Sequence, residues 1–316
     1  MKITVVTGGR MDYGHLLKVL NRIKESKLLE LKIIVTCMHL APEFGLTYKQ
    51  LIEDGFKIDK RVECLLSADT TTSIAKSVGL GCISFADAFT DLSPDLIMIM
   101  GDRFELLAAA QVALFMKIPL AHISGGDTTE GAYDESIRHS ITKMSHLHFV
   151  TNKDAYKRVI QLGENPDFVF NVGSPTIDYI FDIKYISQKE LEKKLNFNFK
   201  KNNIIFTYHP VTLNHQQNLQ DLKVILNSLR RLGNQVGILI TKSNADDGGR
   251  ILNLELEKFV KENSNAKLFD SLGQFLYFNC LKVVDCVVGN SSSGLFEVPS
   301  FRKATVNIGD RQKGRT

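Results

Sequence analysis

Short apolar runs alternate with segments of helical periodicity along almost the whole sequence. The β-branched run KITVVTGG precedes GHLLKVLNRIKES, in which leucine and isoleucine recur at helical spacing, and later segments repeat this order. Strands that alternate with helices form βαβ units, in which a parallel sheet is covered on both faces. The pattern loosens over residues 174–200 and restarts at IIFTYHP. We therefore predict an α/β protein of two Rossmann-like domains, residues 1–175 and 176–316.

The composition is that of a globular protein and argues against several classes of function. The length of 316 residues suits about two domains, and a content of 44% hydrophobic residues gives no case for disorder. The formal net charge of +4 is too small to indicate nucleic acid as a partner. No apolar run is long enough for a membrane span or a signal peptide. Five scattered cysteines without a CxxC pair indicate reduced thiols in a cytoplasmic protein.

Polar and charged residues collect where the predicted strands end. TGGRMDYG, TCMH, MGDR and ISGGDTTEG follow strands of the first half, and YHP, KSNAD and GNSSSG follow strands of the second. Ligands of open parallel sheets bind beyond the carboxyl ends of the strands. The sequence therefore predicts a ligand cleft between two domains, with substrate-binding candidates that include Asp12, His39, Arg103 and Asn290.

Three of these turns carry groups that suit a phosphate. GNSSSG precedes a predicted helix, whose free N–H groups would bind an anion together with the serine hydroxyls, although a capping serine gives a similar pattern. Arg10 lies in another strand-to-helix turn, which lacks the GxGxxG fingerprint of dinucleotide sites. Arg311 lies in GDRQKGR, which is either a diphosphate clamp or a solvated basic loop.

Two residues at strand ends suit proton transfer. Asp102 follows a very apolar strand, where it either caps the helix predicted from Phe104 or acts as a general base in a shielded cleft. His209 ends the strand IIFTYHP, and its imidazole suits either a phosphate contact or a proton shuttle.

A helix predicted from near Tyr133 carries two charged pairs. Asp134 and Arg138 flank its apolar stripe, and Glu135 and His139 lie four residues apart on the next face. These pairs are either surface ion pairs or, because the helix opens at the carboxyl end of a strand, one wall of the cleft. The histidines of HLHF lack an accompanying cysteine or carboxylate cluster, so we predict no metal site.

Several of these segments resemble those of one enzyme family. The runs GDRFE, HISGGDTTEGAYDESIRHSITKMSHLHF, HPVT, GNSSSGLFEVPS and VNIGDRQKGR are similar to the hydrolysing UDP-N-acetylglucosamine 2-epimerases of bacterial sialic acid pathways. The resemblance covers essentially the whole chain. It implies a GT-B fold with a UDP-sugar between two Rossmann-like domains, no metal or nicotinamide cofactor, and a homodimer or homotetramer.

The resemblance also implies roles for individual residues. Catalytic carboxylates would be Asp102 and Asp134, and Asp127, Glu135, Arg138 and His139 would surround them. Nucleotide and diphosphate contacts would come from Arg10, His209, Asn244, Asp246, Ser291, Ser292, Glu297 and Arg311, of which Glu297 would suit the ribose hydroxyls.

The sequence departs from the family at two positions of one turn. Many relatives carry Glu, and others His, at the position of Ser124, and many carry Glu at the position of Asp127. A catalytic acid assigned through that first Glu has no counterpart here, and Asp127 is the nearest replacement. The family continues for several dozen residues beyond the position of Thr316, so we expect a C-terminal tail to be missing from this sequence.

The resemblance implies that UDP-N-acetylglucosamine is converted to N-acetylmannosamine and UDP. Departure of UDP and loss of the C2 proton, most simply to Asp102, would give a glycal, which water and a proton from Asp127 or Asp134 would then convert to product. Three alternatives stay open. They are the same reaction on a UDP-2,4-diacetamido-trideoxy-hexose of the legionaminic acid pathway, a GT-B glycosyltransferase, and a non-catalytic UDP-sugar sensor.

Overall fold

The computed structural model describes residues 1–68, 70–130, 133–211, 215–243 and 248–315, with only the main chain at residues 215 and 216. The chain forms two compact units, one of Met1–Thr128 with Tyr133–Tyr179 and one of Thr129–Ala132 with Ile180–Thr316. The predicted domain boundary after residue 175 and the cleft between the domains stay predictions.

The first unit contains a seven-stranded parallel sheet. Its strands are β1 (Lys2–Thr7), β2 (Glu30–Thr36), β3 (Lys60–Val62), β4 (Leu96–Met100), β5 (Leu120–Ile123), β6 (Leu147–Val150) and β7 (Val169–Asn171). The helices are α1 (Arg10–Glu25), α2 (Tyr48–Glu53), α3 (Thr71–Leu92), α4 (Phe104–Phe115), α5 (Asp134–Met144), α6 (Lys153–Gln161) and α7 (Pro175–Asp182), the last of which crosses the division between the units. The strand order is β3-β2-β1-β4-β5-β6-β7. This order reverses between β1 and β4, which is where ligands bind in doubly wound sheets.

Both faces of this sheet are buried. Val5 packs into one apolar cluster with residues of α1 and α2, and its neighbour Val6 packs into another with residues of α3 and α4. Side chains of a strand point alternately to opposite faces, so each central strand supplies both clusters. This explains why β1 and β4 read as nearly continuous apolar runs.

The second unit contains a five-stranded parallel sheet of the same design. Its strands are β8 (Asn202–Thr207), β9 (Val236–Thr241), β10 (Ala266–Phe269), β11 (Cys286–Gly289) and β12 (Ala304–Asn307). Its helices are α8 (Gln188–Leu195), α9 (His215–Arg230), α10 (Gly249–Glu262), α11 (Gly273–Val283) and the short α12 (Ser293–Phe296). The order β10-β9-β8-β11-β12 reverses between β8 and β11. The two parallel sheets confirm the predicted α/β class with two Rossmann-like domains.

None of the helices within the described ranges is long and apolar enough to cross a membrane. The homo-oligomeric state and the cytoplasmic location stay predictions.

Candidate active site

The end of β4 places Asp102 beside a buried arginine. Gly101, at φ +89°, turns the chain sharply after Met100. The carboxylate of Asp102 accepts a hydrogen bond from Arg138 of α5 and forms an ion pair with it. Asp102 is not the cap of α4, because Arg103 occupies that position and the helix has no side-chain cap. The capping interpretation is therefore wrong.

Arg138 is the centre of this cluster. Its side chain is 2% exposed, so the interpretation of the Asp134–Arg138 pair as a surface ion pair is wrong. The guanidinium also donates from Nη1 to the main-chain oxygen of Asp127, 2.7 Å away. Burial alone would lower the pKa of Arg138, but the nearby carboxylates of Asp102, Asp127 and Asp134 raise it. Arg138 therefore stays charged although it is out of contact with water.

Three acidic residues surround this one guanidinium. Asp127 follows β5, and its Oδ1 accepts a hydrogen bond from Asn152 Nδ2 at 3.1 Å. Asp134 is the first residue of α5 and acts on Arg138 through its charge. A carboxylate can accept a proton as a base and donate one as an acid, and three of them here act on the same positive charge. The cluster is thus chemically suited both to remove a proton and to return one.

His122 is a buried member of the site that the sequence analysis did not single out. It lies within β5 and is fully buried. Its Nε2 is 2.8 Å from the main-chain oxygen of Gly101, and its Nδ1 is 3.2 Å from Thr142 Oγ1 on α5. Burial lowers the pKa of His122 to about 4, so the imidazole is neutral and links the Asp102 turn to the helix of Arg138. A histidine inside the apolar run IPLAHIS was the available signal.

We expect the free energy of unfolding to fall as the solution is acidified. His122 is neutral in the native state, whereas its exposed imidazole in the unfolded chain gains a proton below about pH 6.5. The stabilisation is complete above that pH and is lost as pH falls toward about 4, a loss of about 3 kcal/mol. Urea unfolding between pH 7.5 and 4.5 measures it. His122→Gln keeps an N–H donor without titrating and should flatten the dependence, and an unchanged slope in this variant would contradict the assignment.

The second charged pair on α5, Glu135 and His139, is more exposed than Arg138. His139 Nε2 lies 3.8 Å from Glu135 Oε1, and both side chains are part-exposed. Burial and the charge of Arg138 lower the pKa of His139. The part of the chain that the structure describes contains no group of three side chains able to hold a metal ion.

The turn after β1 is shaped by two of the predicted substrate-binding residues. Asp12 accepts hydrogen bonds from the N–H groups of Gly8 and Gly9, at 2.8 and 2.9 Å, as a cap of α1. His39 is fully buried, and its two ring nitrogens meet the hydroxyls of Thr7 and Thr47. These contacts give both residues a structural role, and contact with a substrate stays a prediction for them.

The two arginines predicted in the first unit lie at the ends of β1 and β4. Arg10 is the first residue of α1 and is half-buried. Arg103 precedes α4, and its Nε lies 3.6 Å from the fully buried carboxylate of Glu105. Each arginine thus stands in a strand-to-helix turn at the point where the strand order of the first sheet reverses.

In the second unit, β8 and β11 end side by side and carry His209 and Asn290. His209 is buried, and the side-chain amide of Asn290 makes two hydrogen bonds to the main chain of His209. Ser291 and Ser292 follow, but the helix after them has only four residues and no side-chain cap. A helix this short supplies little dipole, so any phosphate affinity of this turn must come from its hydroxyl and N–H groups. Glu297 is buried directly after the helix.

The basic segment 309–315 is not a uniformly solvated loop. Arg311 Nη1 donates to the main-chain oxygen of Asn290 at 3.2 Å, which ties it to the end of β11. Lys313 instead pairs with Glu130 at 3.3 Å, and Arg315 lies over the ring of Phe296. Arg311 is therefore the residue of this segment placed at a strand end. The predicted contacts Asn244 and Asp246 lie outside the described residues.

Comparison with known proteins identifies relatives over nearly the full length. The chain is 46% identical over 315 residues to the hydrolysing GDP/UDP-N,N′-diacetylbacillosamine 2-epimerase of Campylobacter jejuni, covering 99% of this chain and 82% of that protein. It is 38% identical over 314 residues to the polysialic acid biosynthesis protein P7 of Escherichia coli, covering 99% and 80%.

The fold is shared with solved structures at low identity. The UDP-GlcNAc 2-epimerase of Neisseria meningitidis bound to UDP-GlcNAc matches with a TM-score of 0.80 at 18% identity, covering 99% of this chain and 84% of that one. The family model for UDP-N-acetylglucosamine 2-epimerases matches residues 21–316. The chain therefore belongs to the UDP-N-acetylglucosamine 2-epimerase family.

Proposed function

We propose that the protein is a hydrolysing 2-epimerase of UDP-N,N′-diacetylbacillosamine. The reaction would release UDP and the C2 epimer of the sugar, a 2,4-diacetamido-2,4,6-trideoxymannose. The observation that carries the proposal is the 46% identity, over 99% of the chain, to a relative named for this reaction on the GDP- or UDP-linked sugar. The cluster of Asp102, Asp127 and Asp134 around Arg138 supports it, because epimerisation requires one group to remove a proton and another to return one.

The chemistry begins with cleavage of the C1–O bond. The C2 hydrogen is not acidic, since no carbonyl group lies beside C2, so UDP departs with or before loss of that proton. Asp102 takes the proton, because its carboxylate is part-exposed just beyond the carboxyl end of β4, where ligands of such sheets bind. The electron pair of the C2–H bond forms the C1–C2 double bond of a glycal, and UDP carries away the electrons of the C1–O bond.

The second half of the reaction adds water across this double bond. A water oxygen bonds to C1, and a proton reaches C2 from the face opposite to the one that lost it, which inverts that carbon. Asp127 or Asp134, in its protonated form, delivers this proton, and the proton that the water loses as it bonds to C1 restores that acid. Asp102 releases the proton taken from C2 to solvent. In the second unit, His209, Arg311 and the Ser291–Ser292 turn would stabilise the negative charge that develops on UDP.

A second candidate substrate is UDP-N-acetylglucosamine. The family model that matches residues 21–316 is named for this sugar nucleotide, which supports it as a substrate. The two candidates differ at C4 and C6, away from the reacting C1 and C2. The same carboxylate chemistry would therefore serve either sugar.

The purified protein should be incubated in D₂O with each sugar nucleotide alone, and the anomeric signals followed by NMR. We expect UDP, and the manno sugar deuterated at C2, from UDP-N,N′-diacetylbacillosamine, with a higher kcat/KM than for UDP-N-acetylglucosamine. A higher kcat/KM for UDP-N-acetylglucosamine would transfer the proposal to that sugar. Unchanged signals with both substrates would contradict a hydrolysing epimerase and favour a transferase or a sensor.

A further inference from the structure

The side chain of Asn290 is fully buried directly beyond β11. Its Oδ1 accepts a hydrogen bond from the main-chain N–H of His209, and its Nδ2 donates to the main-chain oxygen of the same residue, both at 2.7 Å. The amide thus bonds to both main-chain polar groups of His209, 81 residues away in the sequence. A side chain with no exposed surface and with both polar atoms engaged is poorly placed to touch a ligand directly.

The main chain of Asn290 extends this connection in two directions. Its N–H donates to the oxygen of Thr207 at 3.1 Å, which joins the ends of β11 and β8. Its oxygen accepts from Arg311 Nη1 at 3.2 Å and from Gln312 Nε2 at 2.7 Å. One residue therefore holds His209 on one side and Arg311 on the other.

Gly289 makes this arrangement possible. It has φ +135°, and a Cβ built there would lie 1.8 Å from the oxygen of Thr207. No residue with a side chain fits such an approach. The close contact brings the end of β11 against the end of β8, so that the short side chain of Asn290 reaches the His209 main chain.

We infer that Asn290 is a positioning residue, which sets His209 and Arg311 for the diphosphate of the substrate and does not itself contact the nucleotide. The inference rests on the proposed function, in which the second unit binds UDP. It differs from the sequence-based expectation that Asn290 is a substrate contact. The physical reason is that the two hydrogen bonds fix the main chain of His209 and so restrict the positions that its imidazole can reach. A group that is already ordered binds a ligand with a smaller loss of entropy.

The test is a double-mutant cycle on UDP binding, measured by calorimetry with Asn290→Ala, His209→Ala and the double variant. Loss of two buried hydrogen bonds should weaken UDP binding by about 10- to 100-fold in Asn290→Ala. The Asn290 side chain bonds to His209, whereas Arg311 bonds to the Asn290 main chain, which the substitution keeps. The double variant should therefore bind no more than about threefold more weakly than the weaker single variant. The control Asn227→Ala, on the exposed side of α9, should bind as the wild type does.

Binding stoichiometry reports the folded fraction separately from Kd. If Asn290→Ala proves unfolded, Asn290→Ser serves instead, because its hydroxyl is neutral and too short to make both hydrogen bonds to His209. The inference would be overturned if the Asn290 variant bound UDP with unchanged affinity. It would also be overturned if the double variant lost affinity by the product of the two single factors. A wild-type protein that binds no UDP would instead overturn the proposed function, so the two failures are distinguishable.

Discussion

Asp102→Asn should lower kcat by about a thousandfold while UDP binds with wild-type affinity. The amide has nearly the shape of the carboxylate but cannot accept the C2 proton. The proposed UDP contacts are His209, Arg311 and the Ser291–Ser292 turn and do not include Asp102, so affinity for the nucleotide should not change. Turnover by NMR and calorimetric titration with UDP measure the two quantities separately.

Exchange of deuterium at C2 sharpens this result. In D₂O, the wild type should place deuterium at C2 of the product, and Asp102→Asn should leave the substrate unlabelled as well as unconverted. Asp154→Asn, an exposed aspartate on α6, is the matched control and should keep full activity. Turnover by Asp102→Asn close to that of this control would show that another group is the base.

Replacement of Arg138 should damage stability as well as activity. Arg138→Met removes a buried positive charge that Asp102, Asp127 and Asp134 face. Removing one partner of a buried ion pair costs about 3–5 kcal/mol of unfolding free energy. The side chain of Asp102 is 22% exposed, so water can solvate it in part, which places the expected loss near the lower limit. Urea unfolding at pH 7.5 measures the change in the free energy of unfolding.

The double variant separates the ion pair from simple loss of packing. The loss of unfolding free energy in the double variant Asp102→Asn with Arg138→Met should be smaller than the sum of the two single losses. Each single change leaves one charged side chain without its partner, and the double change removes both charges. Arg22→Met replaces an arginine whose side chain is 86% exposed and should change stability by less than about 0.5 kcal/mol. Additive losses would show that Asp102 and Arg138 are not energetically coupled.

The fold was predictable because hydrophobic periodicity reports burial, and every central strand here is buried on both faces. Prediction was weaker where that signal fades. The apolar pattern loosens over residues 174–200, although this segment contains α7 and α8. The helix Gln188–Leu195 buries only Leu191 and Leu195. Two apolar positions in a short helix produce no clear pattern.

The site was predictable only as a collection of strand ends. A local reading of Asp102 favours a helix cap, since its partner Arg138 lies 36 residues further on and becomes visible only in the fold. Asn290 was likewise predicted to contact a ligand, and the structure shows that its side-chain hydrogen bonds go to the main chain of His209. Residue type and position at a strand end indicate that a side chain is functional, but long-range contacts decide how it acts.

The buried guanidinium of Arg138 has a consequence for the range of sugars that the proposed reaction can take. Its charge is held by groups of the chain itself, so its position relative to Asp102 is set before any sugar binds. In the proposed function, this preorganised centre would carry out the proton transfers at C2 for either candidate sugar, because the two sugars differ only at C4 and C6.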